Sequence, residues 1–352
     1  MRRRALLAAL AAAPFLSACE SDGAEATGTL RIATGSPGAV YYRYGSAIAD
    51  LARRYLPNVH ASVLSTAASQ INVDYILNGT ADVAFTQADI AADNEKAHPR
   101  QLAALARLYD DYIHVVVAAQ GKIATFQDLQ NHRISVGAKG SGTAVTANRV
   151  LEVNNVTVEH AQLGLDDSVK ALRNSQIDGF FFSGGLPVAA IADLARDMPI
   201  RLLNLADSVQ SLRRTYGDYY AERVVPASTY TGITATVVIG IANYLVVRLS
   251  MSEPLAYGVT RLLFEGRDEL AKAHQAAARL NIRSAISTPS PSTPRRHPLL
   301  QSAEAIATQR DGPDVNFSHS VRLGFESGPA IRLHSHLLLR FVRSHLPSSF
   351  AP

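Results

Sequence analysis

The chain twice repeats one local pattern: a short apolar run, a turn of small residues, and a helix-length amphipathic segment. In the first copy RIATGSPG leads into AVYYRYGSAIADLARRY, where Tyr41, Tyr44, Ile48, Leu51 and Tyr55 fall at helical spacing. In the second, RISVGAKGSGTAV leads into TANRVLEV. Strand, loop, helix and strand in this order build parallel sheets covered by helices, with the site carried by loops at the strand C-termini. HASVLST, ADVAFTQ, the end of LAALARLYDDYIHVVVAA, DGFFFSGG and IRLLNL supply further strands, and INVDYILNG a further helix. TATVVIGIANYLVVRL is a long apolar stretch, and EPLAYGVTRLLFEGRDELAKAH reads as one amphipathic helix with Leu255, Val259, Leu262, Leu263 and Leu270 near one face. The expected fold is α/β with two lobes, each a parallel or mixed sheet flanked by helices. The first lobe is expected over 30–118 and 245–286, and the second over 119–244. The hinge falls at Ala118 to Lys122, with a return crossing near Ala242 to Arg248.

Composition supports a folded chain with a sizeable core. The 352 residues exceed the roughly 100 to 200 of one domain, and 47% are apolar against 18% charged. The net charge of +4 is small for this length. Arg2, Arg3 and Arg4 supply part of it, and basic residues stripe no helix between Leu30 and Ile286, which argues against a nucleic-acid surface.

The N-terminus reads as an export signal over 1–18: MRRR, then ALLAALAAAPFL, too short to span a membrane as a mature helix, then small residues before Cys19. Leu16-Ser17-Ala18-Cys19 resembles a bacterial lipoprotein cleavage box, in which the first mature cysteine takes a lipid. Residues 19–29 then form a polar tether, and the mature protein is expected in the periplasm, anchored to the membrane through Cys19. As the single cysteine, Cys19 leaves no disulfide within the chain.

Each small-residue loop opens a helix, where unpaired backbone N–H groups and the positive dipole end accept anions. Two such loops facing one cleft would grip a carboxylate, although Ser141 or Thr143 could equally cap its own helix. A nucleotide is excluded on spacing. A P-loop places Gly-Lys-Ser/Thr at the helix start, whereas Lys139 here precedes Gly140. Gly140-Ser141-Gly142 is followed by Thr143, Ala144 and Val145, so the dinucleotide pattern fails as well. No cofactor or metal is implied. His60, His114, His132 and His160 are scattered, Asp110-Asp111 and Asp166-Asp167 read as solvated turns, and no nucleophile, base and orienter group emerges, so no enzyme activity is expected.

Four stretches in order, TGSPGAVYYRYGSAIADL, STAASQINVDYILNGTADVAFTQADIA, RISVGAKGSGTAVTANRVL and ALRNSQIDGFFFSGGLPVAAIADLA, resemble the motifs of the TAXI family, the solute receptors of TRAP transporters. The resemblance spans about Leu30 to Ile286. It implies a bilobed, type II periplasmic-binding-protein-like fold and delivery of a small organic anion, such as a glutamate-like amino acid, dicarboxylate or oxo or hydroxy acid, to a membrane permease. It also implies ligand contacts from Gly35, Ser36, Tyr41 and Tyr42 in the first motif. Thr66, Ser69, Asn72 and Gln87 follow in the second, with Asp89 more suited to capping the next helix. The second lobe would add Ser141, Gly142, Thr143, Phe181, Gly184 and Gly185. Alternation along a strand allows only one of Phe181 and Phe182 to face the cleft. Lys139 stands where the family often has proline, and is either a ligand contact or solvated.

The same lipid-anchored fold would also serve a receptor that presents its solute to a membrane sensor kinase, the alternative reading. After Ile286 the family normally ends in something like HPGAIRYY, whereas this chain reads STPSPSTPRRHPLLQ and runs on to Pro352. Codons for PRRHPLL exist that, read one base later, spell PGAIRYY up to the last codon. The tail over 287–352 is therefore expected to be atypical and disordered, translated out of frame after about Pro291.

Overall fold

The computed structural model describes residues 25–281 and 285, and the backbone of 332–333. The expected signal peptide, Cys19 and the rest of the expected tail lie outside the described residues. The first part runs β1 (Gly28–Ala33), α1 (Val40–Tyr55), β2 (Val59–Leu64), α2 (Ser69–Asn78), β3 (Val83–Gln87), α3 (Ala88–Ala97) and the long β4 (Leu102–Ala118). The second runs β5 (Arg133–Ser135), α4 (Gly142–Val153), β6 (Glu159–Ala161), α5 (Leu165–Arg173), β7 (Gly179–Gly184), α6 (Ala189–Asp197), β8 (Ile200–Leu202), α7 (Ala206–Tyr216) and β9 (Tyr220–Val225). The chain then returns along β10 (Thr236–Arg248) to α8 (Glu253–Glu265) and α9 (Arg267–Ala273).

The α/β class is as expected, with one correction. The strands form one continuous mixed sheet in the order β2-β1-β3-β10-β4-β7-β5-β6, where two separate sheets were anticipated. β4 and β10 join its halves. They pair antiparallel from Leu102↔Arg248 to Ile113↔Ile239, and each changes its outer partner midway. β10 pairs with β3 through Asn243–Val247 and with β9 through Thr236–Ile241. Along its outer edge β4 pairs with the two-residue strand Arg332–Leu333 at Ala103–Ala104 and then with β7 through Tyr112–Val117, while β8 meets Val116–Ala118 on the edge that β10 leaves after Ile113. The crossover therefore lies near Asp111 and Ala242, where the β4–β10 register also shifts between Asn243 and Tyr244. The first crossing expected at Ala118 to Lys122 moves upstream, because Tyr112–Ala118 already pair with strands of the second half.

Other differences have local causes. All of LAALARLYDDYIHVVVA is strand, since its polar residues find partners across the sheet. The expected single C-terminal helix breaks at Gly266, though its five apolar positions are all buried. Tyr55, in the last turn of α1, is exposed while Tyr41, Tyr44, Ile48 and Leu51 are buried against the first half of the sheet. Tyr220–Val225 form an edge strand whose alternating burial was hidden by Glu222 and Arg223.

The halves are also tied by an ion pair. Arg149 of α4 reaches Asp89 of α3 at 2.9 Å, bonds Asp93, and lies 4.6 Å from the Tyr216 ring centre. Asp89 is fully buried; its Oδ1 accepts from Ile90 N–H in the first turn of α3 at 2.9 Å, and its Oδ2 also accepts from the Tyr220 hydroxyl at 2.8 Å, so it serves the helix start and pairs across the interface as well. Removing one partner of a buried pair strands the other charge. Arg149→Met is therefore expected to cost about 3–5 kcal/mol in urea denaturation, and the double variant with Asp89→Leu to recover most of that loss.

Candidate functional site

A cavity of about 170 Å³ opens at the crossover, enclosed by loops from both halves. An apolar cavity of about 150 Å³ holds a benzene-sized molecule, so this one suits a small solute. Four helix starts reach it: Ala39 to Tyr41 of α1, Ala67 to Ser69 of α2, Ser141 to Thr143 of α4, and Gly164 and Leu165 of α5. Only α4 has a side-chain cap, Ser141 Oγ accepting from Ala144 N–H at 3.0 Å. Each terminus contributes positive partial charge from its first N–H groups. None of the described lining residues is Lys, Arg or His. The attraction for an anion is thus built from backbone dipoles.

Of the residues anticipated from sequence, Gly35, Ser36, Tyr41, Thr66, Ser69, Gln87, Ser141, Gly142, Thr143, Phe181 and Gly184 line the cavity. Tyr42, Asn72, Lys139 and Gly185 do not. Asn72 is buried and structural, its Nδ2 donating to the carbonyls of Thr34 and Phe85 at 2.7 and 2.8 Å. Lys139 is exposed, which fits the solvated alternative. Gly185 packs towards Tyr109 and Ala276, and Tyr42 is half-buried away from the lining. Phe181 and Phe182 both border the cavity, against the expectation of one, because it lies across the end of β7. Phe181 is core, edge-on to Phe126, and Phe182 is half-buried.

The floor was missed. Asp110 and Asp111 are not a solvated turn; they are neighbours on β4 with different surroundings. Asp110 binds Arg107 and Arg223, each at 2.6 Å. Burial opposes its ionisation, but the two guanidiniums hold its carboxyl below the ordinary value. Asp111 is 4% exposed; its Oδ2 accepts from Ser183 Oγ at 2.9 Å and from Gln87 Nε2 at 3.3 Å. Gln87 Nε2 also donates to Ser183 Oγ at 2.6 Å. Burial pushes the Asp111 carboxyl up to about 7, against the hydrogen bonds from Ser183, Asn243 and Gln87. Asp111 Oδ1, Gln87 Oε1, the Tyr109 hydroxyl and Asn243 Nδ2 have no close hydrogen-bond partner among the described residues, although Tyr109 and Asn243 stand beside the Asp111 carboxyl and interact with it. Tyr41, stacked on Phe85 with ring centres 5.0 Å apart, sends its hydroxyl to Asn243 Oδ1 and towards Ser69 Oγ. The alternation of a strand was the signal that could have separated the two aspartates.

The two glycine loops meet closely. Ile71 N–H donates to the Gly140 carbonyl at 3.4 Å, and Gly140 takes a φ of +79° that favours glycine. A Cβ on Gly142 would fall 2.1 Å from Gln87 Oε1 and 2.8 Å from Ser69 Oγ. Gly142→Ala is expected to cost about 1–3 kcal/mol in urea denaturation as the loops separate. Gly164→Ala, with no heavy atom within 4 Å of the added carbon, should stay within about 0.5 kcal/mol. Asp111 gives a pH dependence of known sign. Its folded pKa lies above the unfolded value of about 3.9, so its contribution is present below that value and lost as pH rises towards 7. Asp111→Asn should therefore stabilise the unliganded protein at pH 8 by on the order of 2–4 kcal/mol relative to its effect at pH 4.

A structure from Bordetella bronchiseptica RB50 shares the fold, with a TM-score of 0.52 at 17% identity over 90% of this chain and 98% of that one. Lower similarity extends to the periplasmic aliphatic sulphonate binding protein of Escherichia coli, at 15% identity and a TM-score of 0.41 over 82% of this chain and 95% of that one. It extends too to a ligand binding component of an ABC-type import system from Staphylococcus aureus, at 11% identity and 0.46 over 80% and 91%. The model of the NMT1-like family matches residues 32–298, and through that match, which takes in both halves of the sheet and every lining residue of the cavity, the chain belongs to the NMT1-like family.

Proposed function

We propose that this chain is an extracytoplasmic solute-binding receptor of a TRAP-type transporter, of the TAXI kind, which holds a small organic anion between its halves and delivers it to a membrane permease. The observation that carries this reading is the convergence of four helix N-termini on one enclosed cavity. Helix dipoles at the walls of one cavity favour anions without a mobile cationic side chain. Gly35, Ser36, Thr66, Ser69, Ser141, Gly142 and Thr143 supply the donors, while Tyr41 and Phe181 cover an apolar stem. The four ordered motifs support the TAXI assignment, and the export signal with Cys19 supports a lipid anchor on the outer face of the cytoplasmic membrane.

Closure between halves suits the crossover, where β4 and β10 both change partners and a few backbone torsions can swing one half. The cavity offers a carboxylate, amides and hydroxyls, a set suited to holding and releasing a polar solute.

Thermal denaturation of the purified full chain against amino acids, dicarboxylates, oxo and hydroxy acids and sulfonates tests the reading. A true ligand at about 100 times its Kd adds about 2.7 kcal/mol of stability and raises Tm. A folded chain that none of these classes stabilises, or one that converts its ligand chemically, overturns the proposal.

A further inference from the structure

We propose that Asp111 is the counter-ion for an ammonium group, so that the cavity selects zwitterionic amino acids over carboxylates, dicarboxylates and oxo acids that lack one. This rests on the solute-receptor reading and narrows its ligand class.

The floor of the cavity lacks a positive charge. Asp111 Oδ1 and Gln87 Oε1 can only accept when the aspartate is ionised, and neither has a close donor; the Tyr109 hydroxyl and Asn243 Nδ2 beside the carboxyl are neutral and likewise without a close partner among the described residues. Gln87, Tyr109 and Asp111 are 1%, 4% and 4% exposed, so bulk water does not satisfy them. The orientation of the Gln87 amide is fixed, because turning it over would place Oε1 against the Asp111 carboxylate that Nε2 now meets at 3.3 Å. A carboxylate or keto group brings more acceptors to this floor and competes with Asp111 for the neutral donors of Tyr109 and Asn243. An ammonium brings three donors and a positive charge to a buried carboxylate whose present partners are neutral.

The walls complete the match. Helix starts of α1, α2, α4 and α5 present the positive ends of their dipoles, while the floor holds the single carboxylate among the described lining residues. A cavity with positive walls and a negative floor is complementary to a molecule carrying both charges. The charged and titratable groups around Asp111 leave it this role. Asp110 on the same strand is bound to Arg107 and Arg223. Asp89 of α3 is bound to Arg149. Tyr41 of α1 and Tyr109 of β4 are held neutral by burial, with hydroxyl pKa values raised well above the ordinary range. From β3, β7 and β10 come only the neutral Gln87, Ser183 and Asn243.

Titration calorimetry on the purified full chain compares pairs that differ only at the amino group: L-glutamate with 2-oxoglutarate and glutarate, L-alanine with pyruvate, L-leucine with 4-methyl-2-oxopentanoate. At pH 8 at least one amino acid is expected to bind about 10- to 100-fold more tightly than its oxo counterpart, the worth of a charge-assisted bond. Affinity for it should fall as pH drops from 8 to 5.5, because ligand binding requires the ionised carboxyl and Asp111 protonates over this interval. Asp111→Asn, with folding checked by circular dichroism, should erase both the preference and the pH dependence. Ser183→Ala removes one donor to Oδ2 and should move the midpoint of the affinity profile to higher pH, which tests the assignment even if Asp111→Asn fails to fold. Equal or tighter binding of oxo acids, or an affinity that falls as pH rises because a protonated Asp111 donates to a ligand oxygen, would overturn the ammonium assignment and leave the receptor reading standing. A folded chain that binds none of the pairs and none of the wider solute panel would instead remove the receptor reading.

Discussion

The antiparallel pairing of β4 with β10 is the contact on which the rest of the molecule depends. These strands of 17 and 13 residues are long enough to belong to both halves of the sheet, and their ladder continues across the point where every other strand stops. Because each exchanges its outer neighbour at the crossover, the β1-α1-β2-α2-β3 unit and the β5-α4-β6-α5-β7 unit are both positioned from one rail. Their helix N-termini consequently face each other over a common space. Asp111 on β4 and Asn243 on β10, at the exchange point, are buried and polar. Asp111 lines the floor of that space for the same topological reason, with Asn243 behind it.

The electrostatics of the cavity follow from this geometry more than from charged side chains. Helix dipoles act over roughly their first turn and are each worth about 0.3–1 kcal/mol at exposed sites, more when partly buried. Four directed at one enclosed volume make a field that a single surface lysine would not supply after screening. Asp111 opposes that field at one end. Its elevated pKa has burial as the leading cause, and the helix starts stand at the walls while Ser183 and Gln87 supply its hydrogen bonds. The outcome is a bipolar cavity lined by neutral groups apart from one carboxyl.

Most of the architecture was legible because it is local. The period of α1, the strands β1, β2, β3 and β7, and the small-residue loops at Ser36 and Ser141 announce themselves within windows of ten to twenty residues. What escaped depends on distant partners. The first half of β4 reads poorly as strand because Arg107, Asp110 and Asp111 interrupt its apolar run, yet Arg107 and Asp110 answer each other and Arg223, more than a hundred residues away. Asp111 reads as a surface acid until Ser183 and Gln87, separated from it by 72 and 24 positions, close around it. Asp89 serves the start of α3 as its sequence suggests, and its second role shows only when Arg149 arrives from α4. Hydroxyl and glycine positions of the walls could be named because they fall in the motifs that resemble the TAXI family, at helix starts where capping and anion binding use the same residues. A buried carboxylate leaves no comparable local mark.

The way the floor is assembled bears on how a receptor of this kind would avoid closing without cargo. Gln87 comes from β3 in the first half, Ser183 from β7 in the second, and Asp111 from the strand shared by both. Separation of the halves would part Gln87 from Ser183 and admit water to Asp111, where the ionised carboxyl is well solvated. Closure expels that water, and a carboxylate left with an unmatched oxygen in a low-dielectric site carries a penalty of several kcal/mol. A ligand that donates to Oδ1 removes the penalty; one that does not leaves it in place. The same unpaired oxygen that distinguishes among solutes would thereby make closure conditional on the right one, since a ligand shifts such an equilibrium only by its difference in affinity for the two states. Selection and closure then draw on one interaction, located where the two long strands exchange their neighbours.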